Sequence, residues 1–426
     1  MIDVKLLRES PDKVKSGIAT KNVDPKLVDE FLDLDEKWRK LQAALDNSRA
    51  KQKKLTQERK DKEAKQLKEE IKAKESELAE VERKRESALL LIPNPPLSEV
   101  PLGRNENDNV VVREVGEKPK FDFPPRDHLV LAKKLNLVDT ERAAKISGSR
   151  FSFLLGDLVR LEFALAELAI KTLTDKSLIS KLARKNHLDV SDVPFTLVIP
   201  PVLIGKRAMA GMGYLERGGE EVYYFPKDEL YLVGTAEQAI GPMHMDEVFE
   251  EKELPVRYLG FSSCFRREAG SYGKDTRGIL RVHQFDKLEM FSFTKPELSR
   301  AEHRLMLAFQ EHLVQLLKLP YRVLNMCTAD LGDPAAAKFD IEIWMPGQGR
   351  YRETHSTSNT TDFQARRLNV KYRLKNLKSE FVHMLNGTAF AIGRTLIAII
   401  ENYQTKEGKI KIPKVLQKYV GKKVVG

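Results

Sequence analysis

Residues 26–92 contain neither glycine nor proline. A stretch that long without either residue has no tight turn and no helix breaker built into it, so it is committed to long helices. Leu27, Phe31, Leu34, Trp38, Leu41, Leu45, Ser48, Gln52 and Leu55 recur in steps of four and three, which is a heptad seam. After a highly charged patch the stepping resumes in a new phase at Leu67, Ile71, Lys74, Leu78, Val81, Arg85, Ala88 and Ile92. Two seams with a polar break predict an antiparallel helical hairpin that turns near 58–64. Each arm of about 30 residues reaches roughly 45 Å at ~1.5 Å per residue, so such a hairpin extends well beyond a compact body. The polar seam positions Gln52, Lys74 and Arg85 weaken the seam and serve to fix its register. Its outer half, Lys51 to Lys72, carries nine basic and five acidic side chains. Charge runs of this kind are usually solvated faces.

Prolines at 93, 95, 96 and 101 end the second helix and mark a domain boundary near residue 103. Beyond it, Phe151–Leu155 reads as a strand and Asp157 as the N-cap of an amphipathic helix reaching Ile170. Apolar strands follow at 230–233, 256–261, 288–293, 321–326 and 339–344, with few helices among them. Short loops between strands favour an antiparallel sheet over a doubly wound parallel one. The expected fold class is therefore α+β: an N-terminal antiparallel helical coiled-coil hairpin, then an antiparallel sheet flanked by helices. The sequence has no internal repeat, Walker A or GxGxxG.

A chain of 426 residues has room for two or three domains with substantial cores. No apolar run reaches membrane-span length, and the N-terminal MIDVKLLRESPDK lacks an apolar signal region. The expectation is a cytoplasmic protein with no membrane partner. Two cysteines, Cys264 and Cys327, cannot build a Cys-rich zinc site alone and fit a reducing compartment. A net charge of +11 points to a polyanionic partner. The tail from Thr405 to Gly426 adds seven lysines against one glutamate.

Two stretches carry chemistry. Phe265–Phe291 (FRREAGSYGKDTRGILRVHQFDKLEMF) places Arg266, Glu268, Arg281 and Glu289 in a segment whose two ends read as strands with a polar, glycine-containing loop between them. Leu385–Gln404 (LNGTAFAIGRTLIAIIENYQ) puts Arg394 at the head of an apolar helix. One such arginine alone is most often a surface ion pair. Arginines converging from a hairpin and a helix suit a nucleotide triphosphate, because their planar forks bind phosphate bidentately and offset charge as pyrophosphate leaves.

These residues resemble motifs 2 (261–291) and 3 (385–404) of class II aminoacyl-tRNA synthetases. FRREAGS, GKDTRGILRVHQF and HSTSNTTDFQARR are similar to the seryl-tRNA synthetase family in particular. Phe195–Leu203 resembles motif 1, from which a homodimer is expected. The resemblance implies a tRNA-binding domain over residues 1–103, with its coiled coil at 26–92, and a catalytic domain over 104–426. The hairpin would grip the long variable arm of tRNA(Ser) through backbone phosphates. No DNA partner is implied, and tRNA(Sec) is a second acceptor in hosts that have it.

The implied reaction activates L-serine with ATP, releases pyrophosphate, and transfers serine to the tRNA 3′ end. Arg266 and Arg394 are the implied catalytic residues. Arg266, Arg267, Glu268, Arg281, Val282, Phe285, Glu353, Thr354, His355, Ser356 and Arg394 are implied in ATP binding, with Phe285 under the adenine. Glu353 and Ser356 are the implied Mg²⁺ ligands, an oxygen pair suited to a cation that keeps part of its water shell. His355 stands where the family usually has a small residue. It either donates to a phosphate or faces a loop.

Thr235, Ala236 and Glu237 match the family's T-x-E motif for the serine ammonium. Glu289 and Arg266 join them there, while Asn386 and Thr388 stand at the position that meets the serine hydroxyl. Gln238-Ala239-Ile240 departs from the Val-Pro-Leu that often follows. Lys274 and Arg277, in the loop Ser271–Gly278, are implied contacts for the tRNA acceptor end. Two competing functions are a catalytically silent RNA-binding paralogue and an amino acid:carrier-protein ligase. The first would lose the arginines present here, and the second would lack the hairpin.

Overall fold

The computed structural model describes residues 1–58, 60–217, 219–269 and 278–426. The chain forms two compact units, Met1–Pro95 and Pro96–Gly426, divided inside the proline run.

In the first unit, helices α1 (Val4–Glu9) and α2 (Pro11–Ala19) precede the long α3 (Lys26–Gln57) and α4 (Asp61–Leu91). The end of α3 at Gln57 and the start of α4 at Asp61 fall at the expected turn. Leu45, Leu55, Leu67 and Ile71 are buried against one another along the outer seam, each stabilising by about 1.5–3 kcal/mol. Polar seam residues are paired across the hairpin: the Lys74 ammonium donates to Ser48 Oγ at 2.9 Å, and Arg85 Nε to Asp35 at 2.7 Å. The base differs from the heptad reading. Val28 and Asp35 are buried there, whereas Leu27 and Leu34 are only partly so. Helices α1 and α2 pack on that side, and Arg8 of α1 also reaches Asp35 at 2.8 Å.

The second unit is built on an eight-stranded sheet. Its strands are β1 (Val110–Val115), β2 (Thr196–Val198), β3 (Val256–Phe265), β4 (Gln284–Thr294), β5 (Tyr321–Asn325), β6 (Ala337–Met345), β7 (Arg350–Asn359) and β8 (His383–Ala391). Their spatial order is β1-β5-β6-β7-β8-β4-β3-β2. All neighbours are antiparallel except β2, which runs parallel to β3 at one edge.

Along β6, Phe339, Ile341 and Ile343 point into the core while Lys338, Asp340 and Glu342 point the other way, the period-2 alternation of a sheet with one packed face. Helices α5 (Asp157–Leu173), α6 (Ser299–Leu316) and α7 (Ile392–Asn402) cover the apolar face. Asp157 is the first residue of α5 rather than its N-cap; Gly156, at φ 55°, occupies the cap without a side-chain bond. A buried ion pair sits within this layer: Arg257 Nε meets Glu302 at 2.5 Å, with both side chains almost wholly enclosed.

Candidate active site

The uncovered face of the sheet forms the floor of a cleft. Period-2 spacing puts Phe285, Lys287 and Glu289 of β4 on this face, and all three line it. Asn386 and Thr388 of β8 follow the same rule. Glu289 is the direct cross-strand partner of Thr388, so their side chains are adjacent.

On β7 the spacing between Glu353 and Ser356 is odd, yet both line the cleft. A β-bulge resolves this. Ile341 pairs with His355 but Glu342 with Glu353, leaving Thr354 without a partner on β6. The extra residue reverses the alternation, which turns Glu353 toward the cleft and His355 into the core.

Three arginines reach the cleft from separate elements. Arg266 follows β3, its Nε donating to the Gly234 carbonyl at 3.2 Å and its guanidinium lying 5.5 Å from the Phe285 ring centroid. Arg281 pairs with Glu268 at 3.1 Å. Arg394, in the first turn of α7, meets the Glu353 carboxylate at 3.3 Å. Partial desolvation in the cleft works to raise the Glu353 pKa, but the cations of Arg394, Lys338 and Arg266 overcome it and hold the group at about 2.

The cleft holds two adjoining cavities. One, of about 310 Å³, is walled by Arg266, Glu268, Arg281, Val282, Phe285, Thr354, Ser356, Thr388 and Arg394. The other, of about 640 Å³, adds Thr235, Glu237, Glu289 and Asn386. Glu237 and Glu289 are both buried there. Burial, then the neighbouring Glu289, pushes Glu237 up to about 7, against the pull of Lys287, the Tyr214 hydroxyl and Arg266. Glu289 is raised as well, chiefly by burial. These two buried carboxylates, with the Lys287 ammonium already on Glu289, make a polar cavity suited to a cationic group.

The Thr235–Glu237 segment is held close to the sheet by Gly260. A Cβ at that position would lie 2.5 Å from Ile240 and 3.0 Å from Ala236. Gln238, where the chain departs from the family's pattern, folds back so that its Oε1 accepts from the Gly234 N–H at 2.7 Å. The altered tripeptide therefore keeps the loop closed.

Three residues expected at the site stand apart from both cavity walls. Arg267 is exposed and lies over the Tyr223 ring at 5.6 Å. Ala236 is wholly buried beside Gly260. His355 packs on Phe390 with ring centroids 5.8 Å apart, and burial drives its pKa down to about 3. A neutral imidazole in the core does not fit a phosphate donor. Lys274 and Arg277 lie outside the described residues.

Two further residues reach the site without being marked by the motifs: Tyr214, whose hydroxyl donates to Glu237, and Lys287, which contacts Glu289. The period-2 spacing of Phe285, Lys287 and Glu289 was a usable signal for the lysine. Nothing local marks Tyr214.

For a metal, Glu353 and Ser356 offer hard oxygen donors on one face. Beside them the buried Asp340, cross-strand partner of Ser356, keeps one carboxylate oxygen with no hydrogen-bond partner. Oxygen ligands without His or Cys fit magnesium. Among the described residues, Asp127, His128 and Glu401 also bring ligand atoms within 4.8 Å of one another. Burial opposes charge on that histidine, but its bonds to Asp127 and Glu401 raise it to about 9, so a proton already fills the position.

Residues 1–96 match the seryl-tRNA synthetase N-terminal domain, and residues 223–403 match the tRNA synthetase class II core domain (G, H, P, S and T). A serine–tRNA ligase of Dictyoglomus turgidum is 46% identical over 434 residues, 99% of this chain and 98% of that one. The crystal structure of seryl-tRNA synthetase from Pyrococcus horikoshii complexed with ATP superposes with a TM-score of 0.90 at 38% identity, covering 100% of this chain and 99% of the other. The cytoplasmic serine–tRNA ligase of Naegleria fowleri in complex with AMP gives 0.86 at 37% identity, covering 100% and 98%.

Proposed function

The chain belongs to the seryl-tRNA synthetase family of class II aminoacyl-tRNA synthetases, and from that premise we propose how its cleft carries out serine–tRNA ligation. ATP takes the cavity of Arg266, Arg281, Phe285 and Arg394, and L-serine the adjoining one. The serine carboxylate, already ionised, attacks the α-phosphorus; the bond to the β-phosphate oxygen breaks and pyrophosphate departs. No general base is needed, so positioning and charge neutralisation carry the step. A ribose hydroxyl at the tRNA 3′ end then attacks the acyl carbon and releases AMP.

In this reading Arg266 spans the α-phosphate and the serine carboxylate, while Arg281 and Arg394 hold the β- and γ-phosphates. Phe285 lies under the adenine, with Glu268 near its amino group. Thr235, Glu237 and Glu289 receive the serine ammonium, and Thr388 with Asn386 the hydroxyl. Glu353 and Ser356 would hold Mg²⁺, which would supply further neutralisation of phosphate charge. Lys274 and Arg277 would serve transfer rather than activation.

The helical hairpin of the N-terminal part, residues 1–103, would take the long variable arm of tRNA(Ser), and of tRNA(Sec) in hosts that have it. Residues 104–426 would form the catalytic part. A homodimer is proposed through motif 1, where Leu197 of β2, Ile199 just after it and Leu203 are exposed. The cytoplasm is the proposed compartment, supported by two buried free thiols, Cys264 and Cys327, and by the absence of any described helix long and apolar enough to cross a membrane.

The observation that carries this reading is the convergence of Arg266, Arg281, Arg394 and Glu353 on one cavity. ATP–pyrophosphate exchange across the twenty amino acids tests it, with Arg394→Ala alongside. Exchange with serine alone, falling about 10²–10³-fold in the variant, is expected. Exchange with glycine or alanine instead would overturn the roles given to Thr388 and Glu237.

A further inference from the structure

Lys287 has no part in the scheme above, yet its ammonium stands where the scheme puts another. Its Nζ contacts the Glu289 carboxylate and lies 3.3 Å from Thr235 Oγ1. Those are two of the three groups assigned to the ammonium of serine. Two cations cannot share both acceptors without close like-charge repulsion in a buried site. Lys287 cannot withdraw to water either, since its side chain is only 9% exposed. It can turn within the cleft, because it lines the nucleotide cavity as well as the amino-acid cavity.

Resting on the assignment of this pocket to serine, we propose that Lys287 is an internal ammonium that holds Glu289 and Thr235 while the pocket is empty. The ammonium of serine displaces it toward the nucleotide side, where its charge joins that of Arg266 at the α-phosphate. The exchange conserves charge, because serine enters as a neutral zwitterion. Displacement therefore leaves the total unchanged and moves one positive charge from the amino-acid end to the phosphate end. Lys287 is then a positioning residue that couples the two substrates, and the coupling is reciprocal.

The test is the dissociation constant of a non-hydrolysable ATP analogue, with magnesium, at zero and saturating L-serine. In the unaltered protein serine should tighten the analogue by about fivefold or more. In Lys287→Met the ratio should fall to about one, while serine alone binds no more weakly than before. Lys287→Arg, which keeps a cation, should restore part of the ratio. Lys287→Gln serves if the methionine variant does not fold. An unchanged ratio in the uncharged variant, with serine binding weakened, would overturn the proposal and leave Lys287 a fixed counter-ion. Failure of the unaltered protein to bind serine would instead remove the assignment of the pocket, and the proposal with it.

Discussion

Glu289 and Thr388 are direct partners across β4 and β8, which sets a carboxylate of the larger cavity beside a hydroxyl of the smaller one. In Thr388→Val the hydroxyl of serine loses a partner while alanine loses nothing. Serine kcat/KM should fall about 10- to 100-fold, as for loss of a hydrogen bond worth about 1.5–3 kcal/mol, with alanine activity little changed. Parallel pyrophosphate-exchange measurements with the two amino acids decide it; an equal loss for both would mean that Thr388 does not read the hydroxyl.

Tyr214 should set the acid limit of serine use. Glu237 must be ionised to receive an ammonium, and burial followed by Glu289 pushes it up to about 7 while the Tyr214 hydroxyl helps hold it down. Tyr214→Phe removes that donor, so the carboxyl keeps its proton to higher pH. The acid limb of serine kcat/KM should move upward, the loss being larger at pH 6 than at pH 8.5 and about tenfold for each pH unit of displacement. A variant profile of unchanged shape, merely scaled down, would show that Tyr214 only fills space.

Much of this architecture was legible because the relevant signals are local. The absence of Gly and Pro over 26–92 and the resumed heptad announce the hairpin, and strand alternation with short loops announces the antiparallel sheet. What was not legible came from elements meeting across the fold. Val28 and Asp35 replace Leu27 and Leu34 inside the base because α1 and α2 pack there, and no heptad count contains those helices. His355 stays open between a phosphate contact and a loop in the sequence because the bulge at Thr354, which turns it into the core, depends on pairing with β6. Tyr214 reaches Glu237 from 23 residues away with no periodicity to connect them.

The base of the hairpin should be acid-sensitive. Asp35 is fully enclosed; burial works to raise its pKa, but bonds to Arg8 and Arg85 lower it from 3.8 to about 2. A carboxylate depressed in the folded state adds stability above its unfolded pKa and loses it as pH falls through the folded value. About 2 kcal/mol should be present at pH 5 and above and disappear between about pH 4 and 2. Urea titrations of the full chain, followed by helical circular dichroism, should show this slope, and Asp35→Asn should flatten it. An Asp35→Asn protein with the same acid slope would place the sensitivity elsewhere.

The bulge at Thr354 brings Glu353 and Ser356 to one face although three positions separate them, and this makes the metal reading testable apart from the arginines. Glu353→Gln keeps the size of the side chain and one oxygen while removing the charge. Half-maximal pyrophosphate exchange should then need about 10- to 100-fold more magnesium, with much of the activity regained at high magnesium, because a carboxylate is the stronger ligand for a hard cation. Ser356→Ala should shift the same midpoint less, since a neutral hydroxyl contributes less than a carboxylate. Arg394→Ala removes a phosphate contact instead, so its defect should not be relieved by magnesium. Should Glu353→Gln lose exchange at every magnesium concentration with no change in midpoint, the carboxylate would be acting through its 3.3 Å contact with Arg394 rather than through a metal.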